Sequence, residues 1–150
     1  MEAISKNISY KEATFSPTAV RKGIDNTPDK DTLSRMQLVA ERCFEPIRTF
    51  YGKPIKINSF YRCEILNKEI GGSDSSQHCS GEAIDIDADK DNLKIFNWIL
   101  QNLDFDQLIY EFGNEKEPDW IHISYTEQRA NRNQVLKAIK ENGKTVYKKY

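Results

Sequence analysis

The chain has 150 residues, a net charge of −1, and 38% hydrophobic and 11% aromatic residues spread along its whole length. This is enough for a single domain over residues 1–150 with one core, and too apolar for a disordered chain. The charges are mixed in sign, so neither a nucleic-acid partner nor an acidic solvating tail is expected. No apolar run approaches the roughly 20 residues a membrane-crossing helix needs, so no membrane partner is expected. The start, Met1-Glu2-Ala3-Ile4-Ser5-Lys6, lacks the basic and apolar regions of a secretory signal, and the expectation is cytoplasmic synthesis without signal-led export. Cys43, Cys63 and Cys79 are an odd number at unrelated spacings and read as free thiols in a reducing compartment.

Residues 1–27 are the least legible, being polar, with Phe15-Ser16-Pro17-Thr18 and Gly23-Ile24-Asp25-Asn26 reading as turns. Thr27-Pro28-Asp29 then opens a helix, with Thr27 as N-cap and Pro28 at the first helical position. Leu33, Met36, Val39, Cys43, Ile47 and Phe50 recur every three or four residues as one apolar stripe. Pro46 inside it predicts a kink or break near Phe44, and Gly52 the stop. Residues 54–58 alternate as a short strand, and a short helix is predicted from Cys63 to Ile70, ended by Gly71-Gly72. Residues 82–87 alternate again, with Ala83, Asp85 and Asp87 on one face and Glu82, Ile84 and Ile86 on the other. A second amphipathic helix carries Leu93, Phe96, Ile99, Leu100 and Leu103; strands are predicted at 106–112 and 119–125. Asn142-Gly143 marks a hairpin turn. Helices and strands without regular βαβ alternation point to an α+β fold, a small mainly antiparallel sheet packed against helices.

Two histidines occur in the whole chain. His78 lies in the polar, glycine-containing run Ser75-Ser76-Gln77-His78-Cys79-Ser80-Gly81, and His122 in the alternating run Asp119-Trp120-Ile121-His122-Ile123-Ser124. Asp85 stands between Ile84 and Ile86, where an unpaired carboxylate is costly to desolvate. It either pairs with an arginine or lysine, or joins the histidines as a metal ligand. Zinc takes imidazole nitrogen and carboxylate oxygen, and a hydrolytic site has three protein ligands and one open position. Such a site needs a further carboxylate to move protons. Asp119, three residues before His122, is the nearest in sequence, with Glu117 and Glu111 as alternatives. Strand parity turns Asp119 away from His122 unless the chain bends, and Pro118 allows an irregular strand start; the other reading is a solvated loop aspartate. Arg62, after Ser59-Phe60-Tyr61, has a guanidinium suited to a substrate carboxylate or a carbonyl oxygen gaining charge, against the ordinary reading of a surface arginine.

Ser76-Gln77-His78-Cys79-Ser80-Gly81-Glu82-Ala83-Ile84-Asp85 resembles the Ser-x-His-x-x-Gly-x-Ala-x-Asp signature of the D-Ala-D-Ala carboxypeptidase family of zinc peptidases, which also holds D-Ala-D-Ala dipeptidases and L-Ala-D-Glu endolysins. Asp119-Trp120-Ile121-His122 is similar to the family's second motif, an acidic residue three before the last histidine ligand. Ser59-Phe60-Tyr61-Arg62, with Asn67 and Gly71-Gly72 after it, is similar to the Ser-Gly-Tyr-Arg stretch, and residues 106–111 fall where one branch has a similar strand. The likeness runs from about residue 15 to the C-terminal hairpin. It implies that His78, Asp85 and His122 hold Zn²⁺, that Asp119 is the general acid/base, and that Arg62 and Ser76 contact substrate. The fold it implies is the small α+β fold shared with the hedgehog signalling domain. Phe60 replaces the usual glycine and Cys63 the usual serine, and the acid is aspartate where several members carry glutamate.

The expectation is a monomeric zinc metallopeptidase acting on peptidoglycan stem peptides, as a D,D-carboxypeptidase or an L-Ala-D-Glu endopeptidase. Action at the bacterial cell wall after phage-type release is expected. The rival reading is a non-catalytic zinc-containing binding or structural phage protein on the same fold.

Overall fold

The structure, a computed structural model, describes residues 2–150. The N-terminal segment, read from sequence as turns, instead forms regular elements. Strands β1 (Ala3–Ser5) and β2 (Ile8–Ser9) pair antiparallel, and helices α1 (Tyr10–Thr14) and α2 (Pro17–Lys22) follow. Capping chemistry starts both helices. The Ser9 hydroxyl accepts the Glu12 N–H while the Glu12 carboxylate accepts the Ser9 N–H, and Ser16 caps α2 just before Pro17. Helices of five and six residues are too short for apolar periodicity to register. Buried Ile4, Ile8 and Ala13 tie the segment into the core.

Helix α3 (Lys30–Val39) begins later than expected. Its N-cap is Asp29, whose carboxylate accepts the Thr32 N–H at 2.8 Å, whereas Thr27 bonds back to Asp25. The break expected from Pro46 takes the form of a π-helical turn over Ala40–Phe44 that leads into α4 (Glu45–Tyr51). Pro46 has no N–H to donate and its ring crowds the carbonyl four residues back. The wider turn, with the Glu45 N–H on the Ala40 carbonyl, absorbs that conflict without ending the helix. Met36, Val39, Cys43 and Ile47 are fully buried, but Phe50 lies at the rim, stacked on Trp98 with ring centroids 4.7 Å apart. Gly52 ends α4 at φ 73°.

After β3 (Lys56–Ser59), α5 (Glu64–Glu69) and β4 (Ala83–Asp87) come α6 (Asn92–Asn102), β5 (Gln107–Glu111), β6 (Trp120–Ser124), β7 (Gln134–Glu141) and β8 (Lys144–Lys149). The main sheet has six strands in the order β3-β4-β6-β5-β7-β8. Every neighbouring pair is antiparallel except β5 and β7, which run parallel, so the α+β fold has a mixed sheet. The loop after β6 crosses the start of β5 before β7 begins. Glu141 pairs with Lys144 across the Asn142-Gly143 turn, where both residues have positive φ, the type I′ geometry.

One sheet face carries Ile84, Ile86, Leu108, Tyr110, Ile121 and Ile123, buried with Phe44, Ile47, Phe96 and Ile99 of the helices. By strand alternation the opposite face carries Asp85, His122 and Glu111. The core thus backs the strands that present the polar cluster. Among the described residues, no helix is long and apolar enough to cross a membrane.

Candidate metal centre

Asp85 on β4 and His122 on β6 are direct cross-strand partners, so the sheet register alone sets them side by side. His78 comes from the loop between α5 and β4. That loop is tied by its own backbone: Cys79 N–H to Ser76 O, Gly81 N–H to His78 O, and Glu82 N–H to Gln77 O. Arg62 N–H donates to the His78 carbonyl at 3.2 Å, fixing the loop against the segment that leaves β3. Gly81 seats the loop on α3. At its φ of +77°, a Cβ would stand 2.8 Å from the Thr32 carbonyl oxygen and 2.8 Å from Met36 Cγ. Gly81→Ala is therefore expected to cost about 1–3 kcal/mol through overpacking and a left-handed backbone. A lowered urea midpoint checks this; an unchanged midpoint would mean that the loop is not seated there.

One ligand atom from each of His78, Asp85 and His122 lies within 4.8 Å of the others. His78 Nε2 is 3.2 Å from Asp85 Oδ2, and His122 Nδ1 is 2.9 Å from Asp85 Oδ1. His78 Nδ1 faces the Phe60 carbonyl oxygen at 2.7 Å, so that nitrogen carries the hydrogen and donates it. The Nε2 lone pair then points at a carboxylate oxygen, an arrangement that needs a positive charge between the two. Burial pushes the His78 pKa down, against charging the ring itself. Burial also opposes ionisation of Asp85, but the two imidazoles beside it, His78 and His122, outweigh that and hold the carboxyl well below the usual range. Both shifts leave unprotonated donors, the state a metal ligand requires. Two imidazole nitrogens and a carboxylate oxygen, with the Phe60 carbonyl orienting His78, are the donor chemistry of a three-ligand zinc site.

Arg62 and Ser76 meet beside this cluster, the guanidinium donating to the Ser76 hydroxyl at 3.3 Å. Arg62 Nε is buried without a hydrogen-bond partner. A cleft of about 290 Å³ opens next to Asp85, between Phe15 and Pro17 of the N-terminal segment, Ser59 and Arg62, and Trp120. The phenylalanine at position 60 leaves the site intact, because its buried ring points into the core and only its carbonyl serves His78.

Asp119 lies at the bend just before β6 with its side chain exposed. Glu117 is spent on the Leu93 N–H, which its carboxylate accepts at 2.7 Å. Glu111 is 7% exposed; burial pushes its carboxyl up to about 7, with the charges of His122, Asp85 and Arg62 bearing on it. The Phe60 carbonyl and the cleft wall at Phe15 and Pro17 carry no sequence signal of their own, since one is backbone and the other a surface that only folding assembles.

The fold and the three clustered donors define a candidate metallohydrolase. The family model of peptidase M15 matches residues 6–124, and the chain belongs to that family of zinc-dependent, D-Ala-D-Ala carboxypeptidase-type peptidases. No curated protein matches the chain.

Proposed function

We propose that this protein is a zinc peptidase that hydrolyses amide bonds in the stem peptides of bacterial peptidoglycan, as a D,D-carboxypeptidase or an L-Ala-D-Glu endopeptidase. The observation that carries the proposal is the His78–Asp85–His122 cluster, whose Asp85 lines a cleft of about 290 Å³ together with Arg62. His78 Nε2, an Asp85 oxygen and a His122 ring nitrogen would hold the metal. Zinc bound there supplies a Lewis acid and lowers the pKa of water to about 7.

The chain's own residues do the rest. The Phe60 carbonyl keeps His78 in one tautomer and orientation. Arg62, steadied by Ser76, lines the cleft, where its guanidinium would meet a peptide carboxylate or a carbonyl oxygen gaining charge. A carboxylate beside the cluster takes a proton from water and returns it to the departing amine; the family motif offers Asp119 for this. The proposed setting is the cell wall, reached after phage-type release, with the protein acting as a monomer.

Two measurements test the proposal. Elemental analysis of protein prepared without chelator is expected to find about one zinc per chain, as a single three-ligand site requires. Mass spectrometry of purified peptidoglycan after digestion is expected to show either loss of terminal D-alanine or stem peptides freed at L-alanine. Zinc uptake with no change in the muropeptides would favour the non-catalytic reading. A zinc-free wild type would overturn both.

A further inference from the structure

We infer that Glu111, on the strand beside His122, is the carboxylate that transfers the proton in this site, in place of Asp119; the inference rests on the peptidase reading above. Strand register places it. Ile109 of β5 pairs with His122 of β6, and Glu111 pairs with Trp120, so Glu111 is the diagonal neighbour of His122 on the same sheet face. Asp85 continues that face on β4. Diagonal neighbours across antiparallel strands lie roughly 7–8 Å apart at the backbone, within reach of a glutamate side chain.

Asp119 is placed differently. It stands three residues before His122, ahead of the start of β6, with an exposed side chain. Its backbone N–H donates to the Glu111 carbonyl at 2.8 Å, so the two residues share a strand end while only Glu111 has the parity of the metal cluster.

Burial separates them further. Glu111 is covered, yet no hydrogen bond supports its carboxylate; the groups that act on it are the charges of His122, Asp85 and Arg62. Its oxygens are not sealed from solvent, so they are open to the water and amine of a reaction. On its other side runs the C-terminal hairpin, which lies beyond the family match at residues 6–124. Ala138 of β7 pairs with Glu111, and Tyr147 of β8 pairs with Ala138. Ala138 is fully buried, while Tyr147 is 54% exposed. The hairpin thus flanks Glu111 on the side of β5 away from His122.

The step balances within the site. A Glu111 Oε takes a proton from water as the water oxygen bonds to the amide carbon. The carbon–nitrogen bond then breaks and the same proton passes to the leaving nitrogen, which returns Glu111 to carboxylate.

Zinc-loaded wild type, Glu111→Gln and Asp119→Asn test this with three readouts: zinc content, calorimetric binding of acetohydroxamic acid, and peptidoglycan hydrolysis. Glu111→Gln is expected to keep its zinc and to lose hydrolysis by about 10²–10⁴-fold, the usual worth of a positioned general base. It should also bind acetohydroxamic acid at least about tenfold more weakly, because the ligand's hydroxyl proton has no carboxylate to accept it. Asp119→Asn is expected to lose less than about tenfold in either, well under the worth of a general base. Wild-type hydrolysis by Glu111→Gln, a full loss in Asp119→Asn, or loss of zinc from Glu111→Gln would each overturn the inference. If the wild type changes no muropeptide, the peptidase reading fails separately. The hydroxamate then decides alone: weaker binding to Glu111→Gln supports the role of Glu111, and equal binding overturns it.

Discussion

Asp85→Ala is expected to abolish zinc binding, and with it any hydrolysis. Asp85 is the donor that touches both others, at 3.2 Å to His78 Nε2 and 2.9 Å to His122 Nδ1. It is also the one charge in the cluster that offsets the desolvation of a divalent cation. Partners that merely orient a ligand are worth roughly 10–100-fold in metal affinity, so losing one of three direct ligands should exceed the upper end of that range. The effect is readable as stability without any substrate. A thousandfold excess of zinc over its dissociation constant stabilises a folded protein by about 4 kcal/mol, roughly 10 °C in Tm for a chain of this size. The wild type should show that shift and Asp85→Ala should show none at the same zinc concentration. An equal shift in both proteins would place the metal elsewhere.

Asp106→Ala should be the most destabilising change outside the candidate metal site. Asp106 is fully buried at the start of β5, and its carboxylate accepts six hydrogen bonds: one from Gln77, two from Arg129, and three from Arg132 including the backbone N–H. These clip the loop that crosses from β6 to β7, and so hold the start of the hairpin whose first strand pairs with β5. Gln77, beside His78, reaches the same carboxylate.

Removing one partner of a buried ion pair costs about 3–5 kcal/mol. Here the groups left behind are arginines whose side chains are 48% and 47% exposed and regain water, which sets the expectation near the low end, about 3 kcal/mol. The pH dependence has a definite sign. Burial alone would raise the Asp106 pKa, but hydrogen bonds from Arg129 and Arg132 hold it well below the usual carboxylate range. A carboxyl depressed on folding contributes fully above its unfolded pKa of about 3.9, and the contribution drains away as pH falls below that. Urea denaturation should therefore find the full gap between wild type and Asp106→Ala at pH 7 and a narrower gap below about pH 4. A gap that widens in acid, or one under about 1 kcal/mol at pH 7, would show that the ion cluster does not hold the loop.

Much of the fold is open to reading from residues alone where the governing interactions are local. Met36, Val39, Cys43 and Ile47 announce a buried helical face by spacing, and Pro46 announces the disturbance in it; spacing leaves open only whether the helix stops or widens. Asn142-Gly143 announces its hairpin because few other residue pairs take two positive φ angles cheaply. Ala83 to Asp87 alternate in a way that exposes the oddity of a carboxylate between isoleucines. The N-terminal helices escape because two capping serines are a weaker signal than a long apolar stripe, and their burial depends on distant partners. The parallel pairing of β5 with β7 escapes because nothing within either strand encodes which neighbour it takes.

For the His78–Asp85–His122 cluster, the sequence supplied the donors: two histidines, one aspartate among isoleucines, and the glycine and alanine between them that match a known motif. Tertiary structure decided the surroundings. It assigned the Phe60 carbonyl to His78, brought Phe15 and Pro17 to the cleft, and set Glu111 rather than Asp119 on the face of the cluster. Residue type and short spacing fix what a side chain is able to do, because donor chemistry and local backbone preference act within a few residues. Which groups share a face is settled by strand register and by loops closing over long separations. A shift of one residue in pairing would have exchanged the faces on which Asp85 and Glu111 stand.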